Sequence, residues 1–192
     1  IAYLSDILST KHGSKVFIVS NDRDFVQLVN DKITVYRPAE KEFYTKEMIK
    51  SQFGVLAENF ILYKTLLGDQ SDKVEGVKGL GQKGIAKKFP ELLERPLSFD
   101  DLMDIAESKL KEHVVYARVL HDKARLKNNF KIMDLGKPLV DEVEKQYLEE
   151  LSEELPPALN TKAFMLLYNE DGLGRLMKDP ELTITNTFKV IN

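Results

Sequence analysis

The chain predicts an α/β front part with a parallel sheet, passing near Gly68 into an α-helical back part. Three observations lead there. Two short β-branched runs, Lys15–Val19 and Ile33–Tyr36, alternate with helical periods, the order that builds parallel βα layers. Beyond Gly68 nearly every apolar pattern repeats at helical spacing. The composition, 43% hydrophobic and 31% charged with 10 Gly and 7 Pro, is that of an ordinary globular chain. A chain of 192 residues buries enough surface to hold a core without disulfides or zinc.

Ile1–Lys11 carries apolar residues at 1, 4, 7 and 8, a helix closed by His12-Gly13. Lys15–Val19 reads as a buried strand. Ser20-Asn21-Asp22 then offers side-chain caps to a short helix through Phe25, Leu28 and Val29. Ile33–Tyr36 is a second strand, and Arg37–Tyr44 a loop that can carry an edge hairpin. Thr45 caps a helix ending near Gly54, and Ala57–Leu67 forms another, ending at Gly68. The helices expected after that are Gln82–Phe89, Phe99–Glu112, Val114–Lys127, Val140–Leu155 and Thr161–Leu176, with a short strand over Phe130–Leu135. Pro156-Pro157 is the clearest break in the second half. Two domains follow, 1–68 and 69–192.

The absence of Cys excludes disulfides, thiol catalysis and iron–sulfur clusters, and fits a reducing compartment; a cytoplasmic location is expected, the host's if the protein is viral. No apolar stretch is long enough to span a membrane, and no signal peptide is visible. The first residue is Ile, not Met, which suggests a piece of a longer protein. Charge is uneven about a net of −3. Lys73–Arg95 has six Lys/Arg against three Glu, and Lys109–Lys131 seven Lys/Arg against Glu112 and Asp122. Val140–Leu155 has seven Asp/Glu against Lys145. Such runs are solvated faces unless a neighbouring motif gives them work.

Asp22-Arg23-Asp24 directly follows the first strand, and ligands of open α/β sheets bind at the carboxyl ends of strands. Asp22 and Asp24 can both reach one hard cation there while Arg23 turns away. Asp69 and Asp72 follow Gly68, which can supply the chain reversal that presents both. Carboxylates converging without Lys or Arg repel one another, and a divalent cation relieves that repulsion. All-oxygen ligation favours magnesium or manganese over zinc. The same residues would serve as an N-cap (Asp22) and as turn formers (Asp69, Asp72).

Gly76-Val77-Lys78-Gly79-Leu80-Gly81-Gln82-Lys83 lies between helical stretches, the pattern of a helix–hairpin–helix at about 74–90. Gly79 and Gly81 let a backbone approach, and the exposed amides around Leu80, Gly81 and Gln82 can hold a phosphate. Lys83 and Lys87 share a helix face, with Lys88 beside them, and would track one strand without reading bases. An ordinary glycine turn before a soluble basic helix is the plainer alternative.

Strand, Asp22-x-Asp24, two helices, Gly68-Asp69-x-x-Asp72, then the glycine segment with its lysines resembles, in that order, the 5′-nuclease (flap endonuclease) family. The likeness is carried by Ser20–Val29, Leu66–Asp72 and Gly76–Ala86 and covers about residues 1–95. The helical remainder, with Lys127–Leu135 and the Leu155-Pro156-Pro157 segment, is most similar to the phage replication ribonuclease H and 5′-3′ exonuclease members. The resemblance implies an incomplete PIN-like parallel sheet followed by a helical DNA-binding domain with a helix–hairpin–helix. It implies Asp22, Asp24, Asp69 and Asp72 as magnesium ligands and catalytic residues, Mn2+ as a substitute, and a monovalent cation at the hairpin. It further implies a monomer that acts in DNA replication and repair. Such an enzyme cuts 5′-ended or flapped DNA, and RNA in RNA–DNA duplex, through water activated by two metal ions about 4 Å apart. A sliding clamp or a single-strand-binding protein would be its partner. The family's earlier Asp, its acidic cluster and its arch are not in the chain, so about the first third is expected to be missing. Ile85 stands where the family usually has a small residue, which would widen the hairpin helices. Two rivals remain: a non-catalytic hairpin DNA-binding fragment, and a helical protein-interaction domain whose acidic helix meets a partner or water.

Overall fold

The computed structural model describes residues 1–154, 159–174 and 176–187. They divide into two compact units, Ile1–Glu149 and Glu150–Asn192. The expected break at Pro156-Pro157 lies outside the described residues.

The first unit opens with α1 (Ala2–Thr10), β1 (Val16–Val19), a 3-10 helix over Arg23–Leu28, β2 (Ile33–Arg37) and β3 (Glu42–Tyr44). The three strands form one sheet in the order β1-β2-β3. β1 and β2 run parallel, with Val16 opposite Ile33 and Val19 opposite Tyr36. β3 returns antiparallel, Tyr36 facing Phe43, which is the edge hairpin. β1 is not the buried strand its apolar run suggests. It lies at the sheet edge with one face covered: Ile18 is buried and Val16 packs against the core, while Phe17 and Val19 on the other face are 61% and 66% exposed. A run apolar on both faces predicts cover on both faces, and within these residues only one is covered.

Thr45 caps α2 (Lys46–Phe53) through the Met48 amide, and Gly54 ends it at φ 70°. The next helix begins as a 3-10 turn at Ala57–Asn59 and continues as α3 (Phe60–Leu67). Two short strands follow, β4 (Gly68–Asp69) and β5 (Val74–Glu75), paired antiparallel. Then come α4 (Gln82–Lys88), α5 (Glu91–Glu94), α6 (Phe99–Ser108), α7 (Val114–His121), α8 (Lys123–Met133) and α9 (Glu142–Glu153). The expected helix over Phe99–Glu112 stops at Ser108, and the one expected over Val114–Lys127 breaks at Asp122. The strand expected at Phe130–Leu135 is the end of α8 instead. Leu126, Asn129 and Met133 turn inward at helical spacing, and the Phe130 ring meets Phe99 with centroids 5.7 Å apart.

The core of this unit is continuous from Ile18 to Leu126, across the point near Gly68 where the pattern changes from mixed to helical. Asn59, fully buried, crosses part of it: its Nδ2 donates to the Leu92 and Arg95 carbonyls at 2.8 and 2.7 Å, and its Oδ1 accepts from Leu97 N at 2.8 Å. α9 is the acidic helix, and none of its residues is buried.

In the second unit α10 (Thr161–Glu170) ends at Asp171-Gly172, earlier than expected, and α11 (Pro180–Thr187) follows. Tyr168 and Ile184 are buried there. Among the described residues no helix is long and apolar enough to cross a membrane.

Replacing Asn59 by Ala takes the partner from the Arg95 carbonyl and the Leu97 amide, while the Leu92 carbonyl keeps the Leu56 amide. The expected loss is about 3 kcal/mol in urea unfolding, with an unchanged m-value.

Candidate active site

β1 delivers the chain to Asp22 and Asp24 at the carboxyl end of the parallel pair. Asp22 caps the 3-10 helix, accepting the Asp24 amide at 2.8 Å, so the capping and site roles coexist. α3 delivers it to Asp69 and Asp72. Gly68 takes φ 80°, and an added Cβ would stand 2.3 Å from the Gly76 amide nitrogen. Only glycine fits that approach, which places Asp69 in β4 opposite Val74. All four carboxylates line one open cleft of about 730 Å³, with Asn21, Phe60, Tyr63, Ser71 and Gln82 among its walls.

The cleft is not free of cations. Arg23, expected to turn away, lines it, as do Arg37 and Lys64. Lys64 has 6% of its side chain exposed and makes ion pairs with Asp24 and, at 3.0 Å, with Asp69. Burial opposes the lysine charge, but its hydrogen bonds and ion pairs with the two aspartates outweigh that and hold its pKa above the usual range. Asp69 is drawn down to about 2, first by the Ser71 hydroxyl, against burial, and then by Lys64. The carboxylate repulsion expected from the sequence is therefore relieved in part by a side chain. Burial raises the Tyr63 phenol above its usual range, with Arg23 opposing.

The donor set fits a hard divalent cation: four aspartates line the cleft, beside the Tyr63 phenol, and no imidazole or thiol does. The Lys64 ammonium is itself a cation held between Asp24 and Asp69. As the side chains stand, no three Asp, Glu or His among the described residues gather closely enough to hold a metal ion.

The glycine segment lies beside this cleft, joined to it by Gln82, whose Nε2 donates to the Gln52 carbonyl at 2.6 Å. The residues just before Gly76 are β5, not helix; the helical stretches flanking the glycines are α3 and α4, with the β4–β5 hairpin between α3 and the loop. Gly79 takes φ 79°, whereas a side chain at Gly81 would meet nothing within 4 Å, so packing inside the chain does not demand that glycine. Lys83 and Lys87 are exposed and Lys88 is half-buried, whereas Leu80 is buried and its amide already donates to the Val77 carbonyl at 3.0 Å, so it is not among the amides left for a phosphate. Ile85 is fully buried in the core.

Lys64, Arg37 and Tyr63 were not singled out by sequence. The signal for Lys64 is present: a lone lysine in the otherwise apolar helix Phe60–Leu67 is costly unless paired.

No protein-family model matches the chain. Among curated proteins, it is 41% identical over 92 residues to a 5′-3′ exonuclease of Aquifex aeolicus, a match spanning 46% of this chain and 32% of that protein. It is 36% identical over 101 residues to flap endonuclease Xni of Colwellia psychrerythraea, 52% of this chain and 35% of that protein. A 5′-3′ exonuclease of Mycoplasma pneumoniae is 31% identical over 153 residues, 75% of this chain and 53% of the other. The chain thus spans about a third to a half of the length of these relatives. Among solved structures, bacteriophage T5 5′-exonuclease with bound divalent metal ions aligns with a TM-score of 0.62 at 21% identity, covering 79% of this chain and 58% of that one. A complex of the T5 flap endonuclease with DNA and metal ions also gives 0.62, at 20% identity and 80% and 58% coverage. The structural likeness is one of fold, mostly helical with small sheets. The similarity to 5′-nucleases read from the sequence is borne out.

Asp69 has a folded pKa of about 2 against an ordinary 3.8, so its ionised form stabilises the folded chain at pH above about 4, and that contribution is lost as pH falls through 2. Replacing Ser71 by Ala should raise the Asp69 pKa toward 3.8, so that less stability is lost on acidification and the loss is complete at a higher pH, read from urea midpoints between pH 2 and 5. Identical pH profiles for the two proteins would contradict the assignment.

Proposed function

We propose that this chain is part of a magnesium-dependent 5′-3′ exonuclease/flap endonuclease, contributing four acidic residues of the active site and a nucleic-acid grip. The observation that carries it is the meeting of Asp22 and Asp24 with Asp69 and Asp72 around one cleft, beside a glycine loop with exposed lysines. The likeness to curated exonucleases and a flap endonuclease supports the same reading.

In this proposal the four aspartates bind Mg2+, or Mn2+ in its place, with ligands from outside the chain completing the shell. A bound ion of this kind supplies Lewis acidity and a water that ionises near neutral pH. Lys64 holds Asp24 and Asp69 in place and helps keep Asp69 charged. The loop from Gly76 to Gly81, with Lys83, Lys87 and Lys88, acts as the helix–hairpin–helix grip on the sugar–phosphate backbone and reads no base, so RNA–DNA duplex is accepted as well as DNA.

A second reading, a DNA-binding module without catalysis, draws on one observation: Lys64 lies between Asp24 and Asp69, and among the described residues no three acidic or imidazole side chains gather closely enough for a metal ion. Cleavage of a 5′-flapped duplex by the full-length protein separates the two. In that protein Asp69→Asn should lower the magnesium-dependent rate at least about a hundredfold with affinity nearly unchanged. Cleavage at the wild-type rate would remove the metal role. Lys83→Ala with Lys87→Ala should weaken binding of all sequences alike and lower the slope of log affinity against log salt by about two.

A further inference from the structure

We infer that Arg118, Arg125 and Asn129 form a clasp that sets the glycine loop and, through the hairpin it shares, the position of Asp69. They are positioning residues that do not themselves touch nucleic acid; the functional consequence rests on the nuclease reading above. Arg125 and Asn129 lie one turn apart on α8. Arg125 Nη1 and Asn129 Nδ2, the latter at 2.8 Å, both donate to the Glu75 carbonyl. Arg125 Nη2 donates to the Gly76 carbonyl at 3.2 Å and to Asp122 Oδ2 at 2.6 Å, which aims the guanidinium. From α7, Arg118 Nη1 donates to the Lys78 carbonyl at 2.9 Å.

Three carbonyls within four residues are thus turned toward α7 and α8. The negative ends of those peptide dipoles are held by charged donors, away from any phosphate that approaches the exposed Gly79, Gly81 and Lys83. The hairpin leaves little slack. Glu75 pairs with Gly68, and Val74 with Asp69. A Cβ on Gly76 would stand 2.1 Å from the Leu67 carbonyl oxygen, and Val77 N donates to the Leu66 carbonyl at 2.8 Å. A movement of Glu75 therefore moves β4 and the acid it carries. Within the basic run Lys109–Lys131, Arg118 and Arg125 hold the loop and Lys109 pairs with Glu91, while Lys123, Lys127 and Lys131 stay exposed.

The test uses the whole 192-residue chain and a DNA duplex of arbitrary sequence. Hydrogen exchange is read first. In Arg125→Ala, amides from Asp69 to Gly81 should exchange about ten-fold faster, the scale of one or two lost hydrogen bonds, while α2 and α6 are unchanged. Arg125→Lys, which keeps the charge but not the fork, should behave like Arg125→Ala. Unchanged exchange overturns the inference whether or not DNA binds. If Arg125→Ala does not fold, Arg118→Ala puts the same question to Lys78–Gly81. Binding is read second: Arg125→Ala should weaken it about ten-fold at an unaltered salt slope, whereas Lys83→Ala lowers the slope by about one. A lowered slope in Arg125→Ala overturns the inference, because the guanidinium would then be meeting phosphate. A wild-type chain that binds no duplex removes the nucleic-acid grip assigned to it and leaves the clasp to be decided by exchange.

Discussion

The ammonium of Lys64 joins two stretches of chain that lie forty residues apart, and the rest of the cleft depends on it. A lysine this buried stays charged only because Asp24 and Asp69 face it. The two aspartates in turn can lie near one another because the lysine is between them. Without the two aspartates the lysine would carry an uncompensated buried charge, the case in which removing a partner is most costly. Lys64 has its place because α3 is otherwise apolar and is buried along much of its length. The same burial that builds the core thus directs a cation to the end of the parallel strands.

The hairpin from Gly68 to Glu75 is the second constraint. Its two strands are only two residues each, too short to be stable by their own pairing. Contacts on either side hold it: the close passage of Gly68 and Gly76 at the end of α3, and the side chains of α8 on the Glu75 carbonyl. The acids Asp69 and Asp72 and the glycine loop are therefore not separate motifs strung along a chain. They are the two ends of one small braced element, and the helical part of the unit supplies the brace.

Local rules made much of the fold legible. The caps at Asp22 and Thr45, the stop at Gly54 and the parallel pairing of the two β-branched runs follow from residue type and spacing. Other elements obeyed longer-range causes. Phe130–Leu135 has the composition of a strand, but its first four residues are the last turn of α8, because Leu126, Asn129 and Met133 find the core at helical spacing. The β4–β5 hairpin has no β-rich run to announce it, since Gly, Asp, Val and Glu carry little strand signal. The open face of β1 was invisible because an apolar run says which residues seek cover, not whether cover is present.

By itself the sequence determined the identities and order of the four aspartates, the glycines and the lysines, and with them the likeness to 5′-nucleases, because those signals are local and survive without coordinates. Tertiary structure alone decided that the two acidic pairs line one cleft, that Lys64 stands between two of them, and that Arg118 and Arg125 face backbone carbonyls. Charge summed along a sequence carries a sign but no direction, and only packing settles whether a cation meets water, a carboxylate or a peptide oxygen.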